Sequence, residues 1–130
     1  MRFILIDDDA IFNYIHEKTI RNSCPECSVQ SFVSSRQALE YVIDHYSEKK
    51  GGSFCLLLDI NMPEYNGFEF LDRLLNRLPN FLIEHPIYIL TSSLNEKDRQ
   101  RAAQYPDLKG YLEKPLNRDQ LTFILEKLKL

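Results

Sequence analysis

The sequence predicts a doubly wound α/β fold, in which a five-stranded parallel sheet is covered by helices on both faces. Short apolar runs alternate along the chain with segments whose apolar residues recur at helical spacing. Several of these runs are apolar without interruption and end abruptly in polar residues. Unbroken apolar runs are typical of strands buried on both faces. Strands that alternate with helices pair in parallel through right-handed crossovers, which gives the predicted architecture.

Five short segments are predicted as strands. The three clearest are apolar throughout and are followed directly by aspartate, threonine or serine, and the other two are shorter and more polar. In chain order the five predicted strands are residues 3–6, 29–32, 54–58, 87–90 and 110–113. A polar loop at residues 47–53 leads into the third strand.

Each of five predicted helices has its own start signal. The first predicted helix carries Ile11, Ile15 and Ile20. The start signals, in chain order, are Asp9, the pair Ser34 and Gln37, Gly67, the pair Ser93 and Glu96, and the pair Asn117 and Gln120. The connection at residues 79–86 looks long for this arrangement.

The composition of the chain limits the classes of function that the protein can have. A chain of 130 residues that is 44% hydrophobic can fold as one domain, and we expect a single domain over residues 1–130 with no output domain. The net charge of -3 gives no reason to expect direct binding to nucleic acid or to a membrane. The first residues resemble neither a signal peptide nor a spanning helix, so a cytoplasmic protein is expected.

The cysteines and histidines are predicted to be structural. Cys24 and Cys27 have the spacing of a redox pair or of half a zinc site, but no second ligand pair accompanies them. Together with Cys55, they are expected to remain thiols in a reducing compartment. The three histidines are expected at the surface or in helix packing, and they are His16, His45 and His85.

Polar residues at the ends of four strands form the candidate site. Asp7 and Asp8 follow the first strand, Asp59 follows the third, Thr91 the fourth and Lys114 the fifth. In doubly wound sheets, sites lie at the carboxyl ends of the strands near a topological switch point. Three carboxylates there would repel one another unless a cation lies among them. Oxygen ligands, bound water and room for a phosphate favour Mg²⁺.

These residue types suit phosphoryl transfer. A carboxylate such as Asp59 can take a phosphoryl group as a mixed anhydride. The hydroxyl of Thr91 can donate to a phosphoryl oxygen, and the ammonium of Lys114 can pair with a carboxylate or with the phosphate. Phosphoryl transfer depends mainly on positioning and on neutralising the equatorial oxygens, so this set is sufficient.

Four motifs in order resemble the response-regulator receiver family, which includes chemotaxis-type single-domain regulators with a flavodoxin-like (βα)5 fold. They read ILIDDD at residues 4–9, LLLDINMP at 56–63 followed by Gly67, LTS at 90–92 and YLEKP at 111–115. The chain departs from the family pattern at Tyr65 and Asn66, where methionine and aspartate are usual.

The resemblance implies a role for each site residue. Asp59 would accept a phosphoryl group from a phosphohistidine on a sensor histidine kinase or a histidine phosphotransfer protein. Asp8 would ligate Mg²⁺ directly, Asp7 mainly through water, and Asn61 through its backbone carbonyl, with Asp59 completing the set.

The resemblance also implies a switch. Thr91 and Lys114 would bind the phosphoryl oxygens, and Tyr111 would move inward with Thr91. The bond between Lys114 and Pro115 is expected to be cis. The face formed by the fourth helix, the fifth strand and the last helix would then bind a downstream protein, or the domain would relay its phosphoryl group. The protein would be a monomer or a phosphorylation-dependent dimer, and a switch more than an enzyme.

Two other functional classes fit part of the pattern. Aspartate-nucleophile phosphatases also use an aspartyl phosphate and magnesium, but they usually place a second aspartate where this chain has Asn61. A receiver-like docking module that is never phosphorylated is the other alternative. The intact set of acidic, hydroxyl and lysine residues argues against it.

Overall fold

The computed structural model describes residues 1–46 and 54–128, so the polar loop predicted at residues 47–53 lies outside the described residues. Strands and helices alternate along this part of the chain. In order they are β1 (Arg2–Ile6), α1 (Ala10–Ser23), β2 (Ser28–Phe32), α2 (Ser35–Tyr46), β3 (Phe54–Leu58), α3 (Gly67–Arg77), α4 (Phe81–Glu84), β4 (Ile87–Thr91), α5 (Glu96–Ala102), β5 (Gly110–Glu113) and α6 (Arg118–Leu128).

All five strands are parallel and form one sheet in the order β2-β1-β3-β4-β5. The chain moves outward from β1 to β2 and then crosses back to β3 on the other side. Phe3 of β1 therefore lies between Val29 of β2 and Cys55 of β3. This arrangement confirms the predicted doubly wound fold and puts the topological switch point between β1 and β3.

The sheet separates two hydrophobic clusters. Alternate residues of β1 point to opposite faces, so Ile4 packs with Phe68 and Phe70 of α3, whereas Phe3 packs with Ile20 of α1. All residues of β3 and β4 are buried, whereas all residues of β2, at one edge of the sheet, are exposed or half-buried. The unbroken apolar runs of the sequence thus belong to the central strands. None of the described helices is both long and apolar enough to cross a membrane.

The buried face of α1 includes only one of its three isoleucines, Ile20. Ile11 is 70% exposed and Ile15 is 40% exposed, and the buried residues are Asn13, His16 and Ile20. At about 100° per residue, Ile11 lies roughly 180° around the helix from Ile20, so the two side chains cannot share a face. Residues 13, 16 and 20 lie close to one line along the helix. Two polar residues and one isoleucine therefore form the inner face of α1.

Helix caps account for most of the predicted boundaries. The Asp9 carboxylate accepts a hydrogen bond from the Ile11 N–H at 2.9 Å, as predicted. Asn117 and Gln120 exchange the two predicted bonds, at 3.1 and 2.7 Å. At the start of α2, the Ser34 hydroxyl accepts a bond from the Gln37 N–H at 3.2 Å.

One cap agrees with the predicted helix start and one differs from it. Helix α3 begins at Gly67, as predicted, and Asn66 caps it in a capping box with Glu69. Asn95 caps α5, because the predicted cap, Ser93, donates its hydroxyl hydrogen to Asp98 at 2.7 Å. Helix α5 nevertheless begins at Glu96, within a few residues of the predicted cap.

The long connection before β4 contains the short helix α4, which was not predicted. Phe81 and Leu82 of this helix are buried in the core. His85 follows it and accepts a hydrogen bond from the Phe54 N–H at Nδ1, at 3.1 Å. The apolar side chains therefore fold the connection against the start of β3, away from the candidate site.

Cys24 and Cys27 form a disulfide, which corrects the prediction of two thiols. The Cys27 N–H donates to the Cys24 carbonyl at 3.0 Å, and this turn brings the two Cα atoms to 5.4 Å. That separation lies within the range that a disulfide requires. Cys55 is free and buried, as predicted.

Candidate functional site

The switch point brings three carboxylates together. Asp7 directly follows β1 and Asp59 directly follows β3. The two residues are held side by side because the Asp59 N–H donates a hydrogen bond to the Ile6 carbonyl at 3.0 Å. Asp7, Asp8 and Asp59 each offer one carboxylate oxygen within 4.8 Å of the others. Asp7 and Asp59 are buried, whereas Asp8 is exposed. The described chain thus places all three acidic residues predicted for the site in one cluster.

Lys114 reaches this cluster from the end of β5. Its Nζ lies 2.5 Å from Asp7 Oδ2 and 3.3 Å from Asp59 Oδ2, and its side chain is 5% exposed. Nζ also lies 4.5 Å from the centre of the Phe12 ring of α1. The Lys114–Pro115 peptide is cis, as the resemblance implies. The ammonium is therefore held between two carboxylates and an aromatic ring.

The pKa of the Asp59 carboxyl is unusually high. Burial is the main cause that raises the pKa of Asp59 from 3.8 to about 6, and the nearby Asp7 charge adds to it. Lys114 and the Ile60 N–H, which donates to Asp59 Oδ1 at 2.8 Å, act in the opposite direction. A pocket that resists ionisation of its own carboxylate is one that gains from a bound cation.

The donor atoms of this cluster fit a hard divalent cation. Its three candidate ligand atoms are all carboxylate oxygens, which Mg²⁺ prefers. Asn61 is exposed and lies two residues after Asp59, in the segment between β3 and α3. One exposed carboxylate beside two buried ones leaves the outer side of the cluster open to solvent.

Thr91 and Tyr111 converge on one loop residue. Thr91 is the buried last residue of β4, and its Oγ1 accepts a hydrogen bond from the Ser93 N–H at 3.1 Å. Tyr111 of β5 is half-buried and donates its hydroxyl hydrogen to the Ser93 carbonyl at 3.3 Å. The Arg99 guanidinium lies 5.0 Å from the centre of the Tyr111 ring. The loop before α5 is thus bound from both sides by the two residues predicted to form the switch.

Gly67 allows the segment after Asp59 to return close to it. Its N–H donates to the Ile60 carbonyl at 2.8 Å. A Cβ at this position would lie 2.5 Å from the Asp59 carbonyl oxygen and 2.9 Å from the Ile60 Cα. Both atoms belong to the backbone, so a side chain here would displace the segment that carries Asp59.

Three residues of α1 also contact the site, and the sequence reasoning missed their role. Asn13 donates to the carbonyls of Asp7 and Phe32, at 2.9 and 3.2 Å. His16 accepts a hydrogen bond from the Leu116 N–H, and Phe12 lies beside Lys114. Their positions around the helix could have indicated this role, because residues 13 and 16 lie on one helix face with Ile20.

The family model of the response regulator receiver domain matches residues 3–126. The chain belongs to this family. It is therefore a receiver of two-component signalling, a class of switches that work with histidine kinases or phosphotransfer proteins. The predicted family and fold are confirmed.

Solved structures support the assignment. The receiver resembles a two-component response regulator from Cytophaga hutchinsonii, with a TM-score of 0.85 and 28% identity over 98% of this chain and 96% of that one. It also resembles a two-component response regulator from Legionella pneumophila, with a TM-score of 0.81 and 26% identity over 99% of this chain and 98% of the other.

A curated relative places a similar segment inside a much larger protein. Hybrid signal transduction histidine kinase L from Dictyostelium discoideum is 24% identical over 127 residues, which are 97% of this chain. The chain spans only 7% of the length of that relative. Similarity to this kinase therefore concerns the receiver segment alone.

Proposed function

We propose that this receiver accepts a phosphoryl group from a phosphohistidine onto Asp59 in a Mg²⁺-dependent reaction. The donor would be a sensor histidine kinase or a histidine phosphotransfer protein. The observation that carries the proposal is the cluster of three carboxylates and Lys114 at the switch point. Family membership supports it, because receivers act with such donors.

Asp59 is the nucleophile in this proposal. One of its carboxylate oxygens bonds to phosphorus while the bond from phosphorus to the histidine nitrogen breaks, and the imidazole retains that electron pair. The Ile60 N–H holds Oδ1 of Asp59 and so fixes the orientation of the carboxylate. Lys114, 3.3 Å from Oδ2, neutralises charge on the equatorial phosphoryl oxygens, and the buried Thr91 hydroxyl donates to one of them.

The acidic cluster would hold the cation. Asp8 and Asp59 would ligate it directly, Asp7 mainly through water, and Asn61 through its backbone carbonyl. Bound Mg²⁺ supplies positive charge that lowers the repulsion between the carboxylates and the incoming phosphate. Burial of Asp7 and Asp59 strengthens this effect, since charges interact more strongly away from water.

Phosphorylation would act through the loop that Thr91 and Tyr111 share. If Thr91 turns to the phosphate, the Ser93 N–H loses its present acceptor, and the bond from Tyr111 to the same residue changes with it. The change in these two hydrogen bonds would shift the relative populations of two conformations of the face formed by α5, β5 and α6.

That face offers a place for a downstream protein. Between α5 and β5 lies a groove of about 320 Å³, and its lining includes Arg99, Tyr105 and Tyr111. Binding of a partner here, or onward transfer of the phosphoryl group, would be the output of a cytoplasmic switch that catalyses its own dephosphorylation. It would act as a monomer or a phosphorylation-dependent dimer.

Labelling with a small phosphodonor such as acetyl phosphate tests the proposal. We expect one phosphoryl group per chain in the presence of Mg²⁺, and none in Asp59→Asn or with a chelator. Asp9→Asn is the matched control, since Asp9 lies two residues from Asp7 but has an exposed capping role. Rapid turnover of the donor would instead indicate the phosphatase, and the absence of label in the parent protein would indicate the docking module.

A further inference from the structure

His16 is buried between α1 and the segment that carries Lys114. Its side chain lies on the inner face of α1, and the residue is 1% exposed. Its Nε2 accepts a hydrogen bond from the Leu116 N–H at 3.2 Å, across 100 residues of sequence. Leu116 lies two residues after Lys114, on the far side of the cis Lys114–Pro115 peptide. The bond therefore ties this segment to α1 directly beyond the lysine.

A second contact links the same histidine to Lys114. The His16 ring stacks with the Phe12 ring one helical turn earlier, with 5.7 Å between their centres. The Lys114 ammonium lies 4.5 Å from the centre of that Phe12 ring. His16 thus supports Lys114 both through the backbone that follows it and through the ring beside its ammonium.

The hydrogen bond requires a neutral histidine. Nε2 can accept from a backbone N–H only when the ring proton is on Nδ1. Burial is the main cause that lowers the pKa of His16 to about 4. The ring therefore serves as an acceptor throughout the physiological pH range.

We propose that His16 is a positioning residue for phosphoryl transfer, which sets the reach of Lys114 between Asp7 and Asp59. The proposal rests on the proposed function of Asp59. Without the imidazole acceptor, the Leu116 N–H is buried without a partner, and the segment must shift to satisfy it. A shift of this kind moves Nζ away from Asp7 Oδ2 and Asp59 Oδ2, where it now lies at 2.5 and 3.3 Å.

The chain offers a matched control for a purely structural role. His85 is also buried, and its Nδ1 accepts a hydrogen bond from the Phe54 N–H at 3.1 Å. Phe54 is the first residue of β3, so this bond lies at the amino ends of the strands, whereas the carboxylates lie at their carboxyl ends. Loss of either imidazole removes one acceptor from one buried backbone N–H. Only the loss of His16 is expected to move Lys114.

The experiment compares His16→Leu, His16→Gln and His85→Leu with the parent protein. The measured quantity is the rate constant for labelling by acetyl phosphate at saturating Mg²⁺. We expect His16→Leu to lower it about tenfold or more, because small misplacements of a catalytic group are costly. His16→Gln offers a side-chain carbonyl as the acceptor and should recover the rate to within about threefold of the parent. His85→Leu should lose stability but keep a rate within about twofold of the parent.

A second measurement reports on Lys114 without any phosphoryl transfer. The ammonium of Lys114 should give a protected NMR signal in the parent protein and in His85→Leu, since it is buried in its ion pairs. That signal should be lost in His16→Leu and return in His16→Gln. If His16→Leu does not fold, Phe12→Leu replaces it, and we expect the same signal to weaken.

The two proposals fail in different ways. If the parent protein takes no label, the proposed function fails, and the NMR signal alone decides the role of His16. If the parent is labelled but His16→Leu matches His85→Leu in both rate and signal, the positioning role is overturned. Failure of His16→Gln to restore either quantity also overturns it.

Discussion

Replacement of Asp59 by asparagine is expected to stabilise the metal-free protein at neutral pH. The substitution removes a negative charge from a buried site that already contains Asp7. The asparagine carbonyl can still accept the hydrogen bond that the Ile60 N–H donates to Oδ1 at 2.8 Å. Lys114 keeps its contact with Asp7 at 2.5 Å, so the ammonium is not left without a counter-charge.

The size of the effect follows from the raised pKa of Asp59. A carboxyl whose pKa is about 6 in the folded protein and 3.8 when unfolded binds more protons in the folded state. Stability is therefore lost as the pH rises from about 4 to about 6, and the full penalty is present above that window. At 1.36 kcal/mol per pKa unit the penalty amounts to about 3 kcal/mol. Asparagine does not carry this penalty.

Urea denaturation of both proteins with a chelator, at pH 4 and at pH 7.5, measures the difference. We expect Asp59→Asn to exceed the parent by about 2–3 kcal/mol at pH 7.5, with little difference at the lower pH. Asp9→Asn serves as the control, because asparagine caps a helix as well as aspartate does. An asparagine variant no more stable than the parent at pH 7.5 would refute the electrostatic reasoning.

Three further predictions concern the metal, the backbone near Asp59 and the disulfide. At a Mg²⁺ concentration 100 times its Kd, the parent should gain about 2.7 kcal/mol of unfolding free energy. Asp8→Ala should lose most of this gain in the same titration, since it removes one of three oxygen donors. Gly67→Ala should cost about 3 kcal/mol in urea denaturation, because its Cβ would overlap the Asp59 carbonyl. Reduction of the bond between Cys24 and Cys27 should cost about 2 kcal/mol, as expected for so short a loop; an unchanged urea midpoint in the reductant would contradict this.

The site residues at the strand ends could be predicted because they depend on topology alone. Once the strands are parallel and alternate with helices, the residues after them must meet at one edge. Asp7, Asp59 and Lys114 accordingly lie together in the structure. The cis peptide before Pro115 was also expected, but only from the resemblance to the receiver family.

The inner face of α1 could not be predicted by hydrophobicity. Asn13 and His16 are polar by type, yet both are buried because backbone groups of other elements bind them. Such partners lie up to 100 residues away in sequence, and a local pattern does not show them. The case of Ser93 is local, since its hydroxyl was predicted to cap α5 but donates to Asp98, and the nearby Asn95 caps the helix instead.

The disulfide was missed for a different reason. The prediction for Cys24 and Cys27 used the redox state expected of a compartment, whereas the pairing depends on a local turn. The short helix α4 was missed because four residues are too few to show a helical period.

Because the Lys114 ammonium already lies among the carboxylates, a divalent cation would bind there in competition with it. This ammonium already neutralises part of the charge of Asp7 and Asp59 from within the chain. Any divalent cation that enters the pocket competes with this internal one for the same carboxylates. The affinity for such a cation would then be the difference between two interactions. Anything that loosens the hold on Lys114 shifts that balance in favour of the external ion.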